Sequence, residues 1–289
     1  MQSKGTLYIV STPIGNLEDI TLRALRVLRE VDLVAAEDTR HTIKLMSHFE
    51  IRTPLVAYHQ HSDAVRTANL VARMLDGQSI ALVTDAGTPG ISDPGAELTA
   101  ASIEAGIVVV PVPGASAVLT ALVSSGLPAA RFAFEGFLPR TKSTLRSKLA
   151  ALSSETRTLV FYEAGNRTAS TLAEIAEAFG VDRLCCVGRE LTKKHEQFLR
   201  GRLTDVAEAF KAGEQRGEVT IVVAGLPSTG DVDVSPEVEC AENLLTSALK
   251  AALSAGASER DAVKLVSAEL KLSKRDVYAV MLSMKGEEE

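Results

Sequence analysis

The sequence predicts an α/β protein made of two α/β domains followed by a small helical C-terminal segment. Three observations carry this prediction. Short apolar β-type runs alternate with amphipathic helical stretches between residues 6 and 225. Glycines follow the helical stretches where a left-handed C-cap residue belongs. Beyond residue 236 the helical periodicity continues with no strand signal.

In the first domain (1–126), Thr6–Thr12, Leu33–Asp38, Ser79–Asp85 and Val108–Pro113 are apolar runs that each end in a polar or Gly/Pro loop. Leu22, Leu25, Val27 and Leu28 mark a helix between the first two, and Ala64–Leu75 closed by Gly77 and Ala96–Ala105 closed by Gly106 mark two more. Strands separated by helices predict a mainly parallel sheet covered on both faces. The second domain (127–230) follows Gly126-Leu127-Pro128, with strands at Arg131–Phe137, Thr158–Ala164, Arg183–Leu191, Glu196–Leu203 and Val219–Gly225. Asn166 is placed to cap a helix that runs to Phe179 and closes at Gly180. The close spacing around 183–203 predicts a hairpin, and so a mixed sheet. Gly225–Asp231 is a linker. In the segment 236–289, Ser258-x-x-Asp261 and Ser273-x-x-Asp276 are capping-box patterns that start two short helices, as in a small helix-turn-helix-like appendix.

With 46% hydrophobic and 24% charged residues, the 289-residue chain is too apolar for disorder and long enough to bury a core without staples. Its three cysteines, Cys185, Cys186 and Cys240, form neither a disulfide framework nor a Cys-x-x-Cys knuckle, which points to a reducing compartment. Neither a signal-peptide pattern nor an apolar run of the roughly 18 residues of a membrane span is present, so the expected location is cytoplasmic. The net charge of −6 hides basic windows. Leu138–Lys148 carries Arg140, Lys142, Arg146 and Lys148 with no acid. Arg183–Arg202 and Ala248–Lys285 are basic as well. Such windows suit a nucleic-acid partner or simply a solvated helix face.

Ligands of parallel sheets bind beyond the carboxyl ends of the strands. Four successive strands here end in Ser11–Leu17, Glu37–Arg40, Thr84–Gly95 and Val112–Ala117, loops of small, turn-forming or ionisable residues. There is no Gly-x-Gly-x-x-Gly after the first strand and no phosphate-binding P-loop. The loops offer Asp85 and Asp93 but few cations, which favours a ligand with a positive centre and ribose or amine donors, such as S-adenosylmethionine.

At this point a resemblance appears. Thr12–Thr21, Glu37-Asp38-Thr39-Arg40, Tyr58-His59-Gln60-His61, Asp85–Pro89 through Ile91–Gly95, and Pro113-Gly114-Ala115-Ser116-Ala117 resemble the tetrapyrrole-methylase superfamily. Within it they look like the branch that methylates ribose 2′-hydroxyls of small-subunit ribosomal RNA. Phe134–Pro139, Phe161-Tyr162-Glu163 and Gly188–Lys193 continue the match over nearly the whole chain. One departure is local: after Ala164 the family usually carries Pro-His-Arg, and this chain has Gly165-Asn166-Arg167.

The resemblance implies a class III methyltransferase fold with S-adenosylmethionine in the cleft between two domains. It also implies a homodimer and a cytidine ribose of small-subunit rRNA as substrate, which is expected within the assembled 30S subunit. By motif position, cofactor contacts fall at Ile14, Asp85, Gly87, Thr88, Ile91, Ala115 and Ser116, and from the second domain at Phe161, Tyr162 and Thr220. A 2′-hydroxyl is a poor nucleophile, so a base should take its proton. Glu37, Asp38, His59 and His61 are the candidates. Asp38 could equally cap the next helix. His59 and His61 are spaced like metal ligands on a strand, but no third ligand of matching character accompanies them, so no metal is expected and the histidines contact substrate or lie in a surface loop. Arg40 could bind a phosphate or pair with either acid, and Arg189 could face the RNA or pair with Glu190. Lys142, Arg146, Lys148, Lys274 and Arg275 are candidates for the RNA backbone. With 4% aromatics and no Trp, a broad base-stacking platform is not expected. Two other readings stand beside this one: a tetrapyrrole C-methyltransferase, and a non-catalytic ribosome assembly factor.

Overall fold

The computed structural model describes residues 4–59, 64–211 and 217–227, and in the C-terminal segment 248–249, 252–253, 258–269 and 277. The chain divides at Leu226/Pro227 into two compact units.

The first unit holds two five-stranded sheets. In chain order its first half runs β1 (Thr6–Val10), α1 (Leu22–Glu30), β2 (Leu33–Ala36), α2 (Thr39–His48), β3 (Leu55–Ala57), α3 (Ala64–Leu75), β4 (Ile80–Val83), α4 (Ala96–Glu104), β5 (Val108–Val112) and α5 (Ala117–Ser125). The strand order is β3-β2-β4-β1-β5, with every pair parallel. Central β2 and β4 are buried at all eight positions, because helices cover both faces. That is why they are continuous apolar runs in the sequence rather than alternating ones. Pro111, which lacks an N–H, sits in edge strand β5, where only β1 needs hydrogen bonds. Edge strand β3 was not anticipated. It is three residues long and only half-buried, so it leaves almost no periodic signal.

The second half runs β6 (Phe132–Phe137), α6 (Lys142–Leu152), β7 (Thr158–Ala164), α7 (Gly165–Phe179), β8 (Leu184–Arg189), β9 (Gln197–Arg202), α8 (Leu203–Lys211) and β10 (Glu218–Val223). The order is β6-β7-β10-β8-β9. β6 and β7 are parallel and the remaining pairs antiparallel, so the sheet is mixed and β8–β9 is the anticipated hairpin. One face packs Phe161, Val187 and Ile221 against Leu172 and Ile175 of α7. On the other face, Val118, Ala121 and Leu122 of α5 meet Val160, Cys186 and Val222. Helix α5 thus leaves the first sheet in sequence but is buried on the second. It ties the two sheets together beside the first sheet's strand ends.

Asn166 does not cap α7. The cap position is Ala164, which has no side-chain cap, and Asn166 lies exposed within the first turn. In the second unit, α9 (Glu259–Glu269) begins where the first capping box placed it, with Ser258 Oγ accepting the Asp261 N–H at 3.3 Å. Its apolar side packs Ala262, Val263 and Val266 with Leu249 and Val277. The second box, at Ser273, lies outside the described residues. Among the described residues no helix is long and apolar enough to cross a membrane. Cys185 and Cys186 are buried, and burial pushes the Cys185 thiol up to about 12, so it is unreactive.

Candidate active site

The loops after β1, β2 and β4 are sewn together by their own backbone. Thr12 and Gly87 exchange hydrogen bonds of 2.9 and 3.1 Å, and the Thr12 hydroxyl donates to the Thr84 carbonyl at 3.0 Å. Gly87 has φ +82°, a conformation that a side chain would strain. The β2 and β4 loops trade carboxylate contacts. The Asp85 N–H donates to Glu37 Oε2 at 3.3 Å, and the Asp38 N–H donates to Asp85 Oδ1 at 3.2 Å.

These loops face the second sheet across a cavity of about 480 Å3, within the roughly 300–1,000 Å3 typical of small-molecule sites. From the first sheet's side it is lined by Ile14, Glu37, Asp85–Thr88, Ile91–Asp93, Ser116 and Ala117. From the second it is lined by Phe137, Tyr162, Glu190, Leu191, Lys193 and Gly217–Thr220. The Tyr162 ring meets Phe134 at 4.9 Å and Phe137 at 5.4 Å between centroids, forming an aromatic wall. Gly15 holds the two sides in register. A Cβ there would lie 2.6 Å from Lys193 Cγ and 2.8 Å from the Leu191 carbonyl.

The cavity is strongly acidic. Glu37, Asp85, Asp93, Glu190 and Glu218 line it against one ammonium, Lys193, which already pairs with Glu190 at 2.9 Å. Burial, together with the neighbouring Glu37, Glu218 and Asp85 carboxylates, lifts the Asp93 carboxyl to about 7. The Thr84 hydroxyl is close enough to temper that rise, yet it makes no hydrogen bond of ordinary geometry among the described residues. Burial also raises Glu37, with Asp85, Asp38 and Glu218 adding to the rise. Burial and Asp93 push the Tyr162 hydroxyl up to about 12, so it keeps its proton.

Of the anticipated cofactor residues, Ile14, Asp85, Gly87, Thr88, Ile91, Ser116, Tyr162 and Thr220 line the cavity. Ala115 lies next to Ser116 but outside the lining. Phe161 is a correction: its side chain is fully buried in the core under β7. Successive strand residues face opposite sides, so Tyr162 in the cleft obliges Phe161 to point away.

Asp38 is the N-cap of α2, accepting the Arg40 N–H at 2.8 Å. The Arg40 guanidinium folds back onto it at 2.7 Å, and these bonds hold the Asp38 carboxyl down at about 2. His59 is exposed beyond β3 and outside the cavity lining, and His61 lies outside the described residues. Glu190 pairs with Lys193, not with Arg189.

The basic window of α6 is offset by acids brought in from elsewhere. Lys142 reaches Glu174 at 3.0 Å, Arg146 reaches Glu174 and Glu177 at 2.6 and 2.8 Å, and Lys148 reaches Glu135 at 3.3 Å. Sequence-local counting cannot see partners from β6 and α7. Lys274 and Arg275 lie outside the described residues. Among the described residues, Asp38, His41 and Asp85 bring ligand-type atoms within 4.8 Å of one another. The Arg40 guanidinium and the positive end of α2 share that patch and oppose a cation there.

The family described as Tetrapyrrole (Corrin/Porphyrin) Methylases matches residues 6–207. The chain belongs to that family. A Synechocystis protein named ribosomal RNA small subunit methyltransferase I is 45% identical over 283 residues, covering 98% of this chain and 99% of its own length. A Bacillus subtilis protein of the same name is 44% identical over 275 residues, covering 95% and 93%. Among solved structures, a cobalt precorrin-4 methyltransferase matches with a TM-score of 0.58 at 19% identity, over 76% of this chain and 94% of its own. A Thermus thermophilus uroporphyrin-III C-methyltransferase complexed with S-adenosylhomocysteine matches with a TM-score of 0.54 at 21% identity, over 76% and 97%. The two-sheet arrangement described above is the fold of these tetrapyrrole methylases.

Proposed function

We propose that the chain uses S-adenosylmethionine to methylate the 2′-hydroxyl of a cytidine ribose in small-subunit ribosomal RNA. It would do so in the cytoplasm, as a homodimer, on the assembled 30S subunit. The observation that carries the cofactor assignment is the acidic, aromatic-walled cavity. It suits a ligand with two cationic centres, a ribose and a purine ring. Among the described residues it has no free cation for a triphosphate. Near full-length kinship to proteins named ribosomal RNA small subunit methyltransferase I supports the acceptor.

When bound, the cofactor supplies a methyl group already activated by its sulfonium. The task left to the protein is alignment, exclusion of water and removal of one proton. The donor set fits this cofactor. Asp85, Asp93 and Glu218 offer carboxylates to its cationic and ribose groups, and Tyr162 and Phe137 offer an aromatic surface. Glu37 is the base. Burial raises its proton affinity, while Asp38 is committed to the α2 cap and is a weak acceptor of protons. Arg189 faces the RNA.

A tetrapyrrole acceptor fits less well, because a macrocycle bearing many carboxylates would meet five more in the cavity. Two measurements test the reading. Asp85→Ala should abolish calorimetric binding of S-adenosylmethionine, and unchanged affinity would remove the assigned site. Ribose-methylation mapping of rRNA from a deletion strain should lose a single mark, and an intact map would remove the function.

A further inference from the structure

A second, smaller cavity of about 180 Å3 adjoins the first and shares Asp85 with it. Pro13, Leu17 and Leu45 give it apolar walls, and Thr12 and Thr84 form its floor at the ends of β1 and β4. His41, Lys44 and Leu45 lie on one face of α2, at the i, i+3, i+4 spacing that puts helix side chains side by side.

We propose that this cavity is the acceptor subsite, holding one pyrimidine ribonucleotide of the RNA with its ring between the apolar walls and its phosphate at Lys44, since His41 on the same face already turns its Nδ1 to the Asp85 carboxylate at 3.5 Å. The proposal rests on the methyltransferase reading and names where its substrate enters. Three observations meet here. In-line transfer requires donor and acceptor to touch, so the acceptor must occupy space that opens onto the cofactor cavity, and Asp85 is common to both linings. The phosphodiester cannot approach through the larger cavity, where five carboxylates meet one paired ammonium. Lys44, by contrast, is exposed and makes no ion pair among the described residues. Finally, the volume suits a single ring and is too small for a macrocycle.

One variant tests the subsite. Lys44→Glu changes an exposed side chain, so folding is not at risk. The probe is 30S subunits from a strain lacking the ribose mark, retained on filters with the protein and S-adenosylhomocysteine, with methyl transfer measured separately. Lys44→Glu should weaken retention by about tenfold at low salt, with the loss shrinking as salt rises. Its S-adenosylmethionine affinity by calorimetry should stay within about twofold of the parent. If Lys44→Glu retains and methylates subunits like the parent, the subsite is wrong while the methyltransferase reading stands. If the parent binds the cofactor but never methylates subunits, both are overturned.

Discussion

Replacing Asp93 with Asn should stabilise the protein by an amount that grows from nothing near pH 3.8 to its full value above about pH 7. The Asp93 carboxyl moves from an ordinary value of 3.8 to about 7 in the folded chain, chiefly through burial and then through repulsion from Glu37, Glu218 and Asp85. A proton held more tightly in the folded state gives a contribution that is fully present below pH 3.8. It is lost as pH rises through about 7. At about 1.36 kcal/mol per tenfold change in proton affinity, ionising the buried carboxyl costs up to about 4 kcal/mol. Part of the side chain reaches water, so solvent screening reduces this to about 2 kcal/mol. Asn has no proton to lose and escapes that cost. For a unit of this size the gain corresponds to a rise in melting temperature of roughly 4–8 °C at pH 8, and none near pH 3.5. Thermal unfolding followed by circular dichroism at the two pH values checks it. A variant that melts no higher than the parent at pH 8, or gains equally at both pH values, would refute the acidic-cluster account.

Other consequences follow from the same geometry. Gly15→Ala forces a Cβ to within 2.8 Å of the Leu191 carbonyl, so it should destabilise by about 1–3 kcal/mol in urea and weaken cofactor binding. Phe161→Ala should cost about 3–5 kcal/mol of stability. At a temperature where the variant is folded, its cofactor affinity should match the parent, because the ring lies in the core and not in the cleft. Glu37→Gln should lower the transfer rate by about 10²–10⁴-fold with little change in cofactor affinity. Gln at both Lys142 and Arg146 should leave the salt dependence of subunit binding unchanged, since both cations are held by Glu174 and Glu177. A slope smaller by about one to two in log–log form would return them to the RNA-facing surface.

Which features were legible in the sequence follows the range of the interactions that made them. Buried strands such as β4 announce themselves as unbroken apolar runs, and Ser258 announces α9 by a local side-chain bond. Strand β3 is too short and too shallowly buried to do so. Asn166 looks like a cap because caps are local, but β7 continues to Ala164 and leaves Asn166 two residues past the cap position. In the site, Asp85, Gly87 and Thr88 were legible because one loop carries them. Glu190, Lys193 and Glu218 were not, because the fold brings them from the β8–β9 turn and from β10, distant in sequence, to face that loop. The same long-range pairing hid the neutralisation of the α6 window. Nothing in the helical pattern of α2 marks Lys44 as lining a cavity until Pro13 and Leu17 are seen in the same lining.

The most direct test incubates the purified chain with S-adenosylmethionine and 30S subunits that lack the ribose mark, then digests the RNA and measures its nucleosides by mass spectrometry. The account predicts one 2′-O-methylcytidine per subunit, absent with Asp85→Ala. Subunits that gain no methyl group, or gain it on a base carbon or nitrogen, would contradict it.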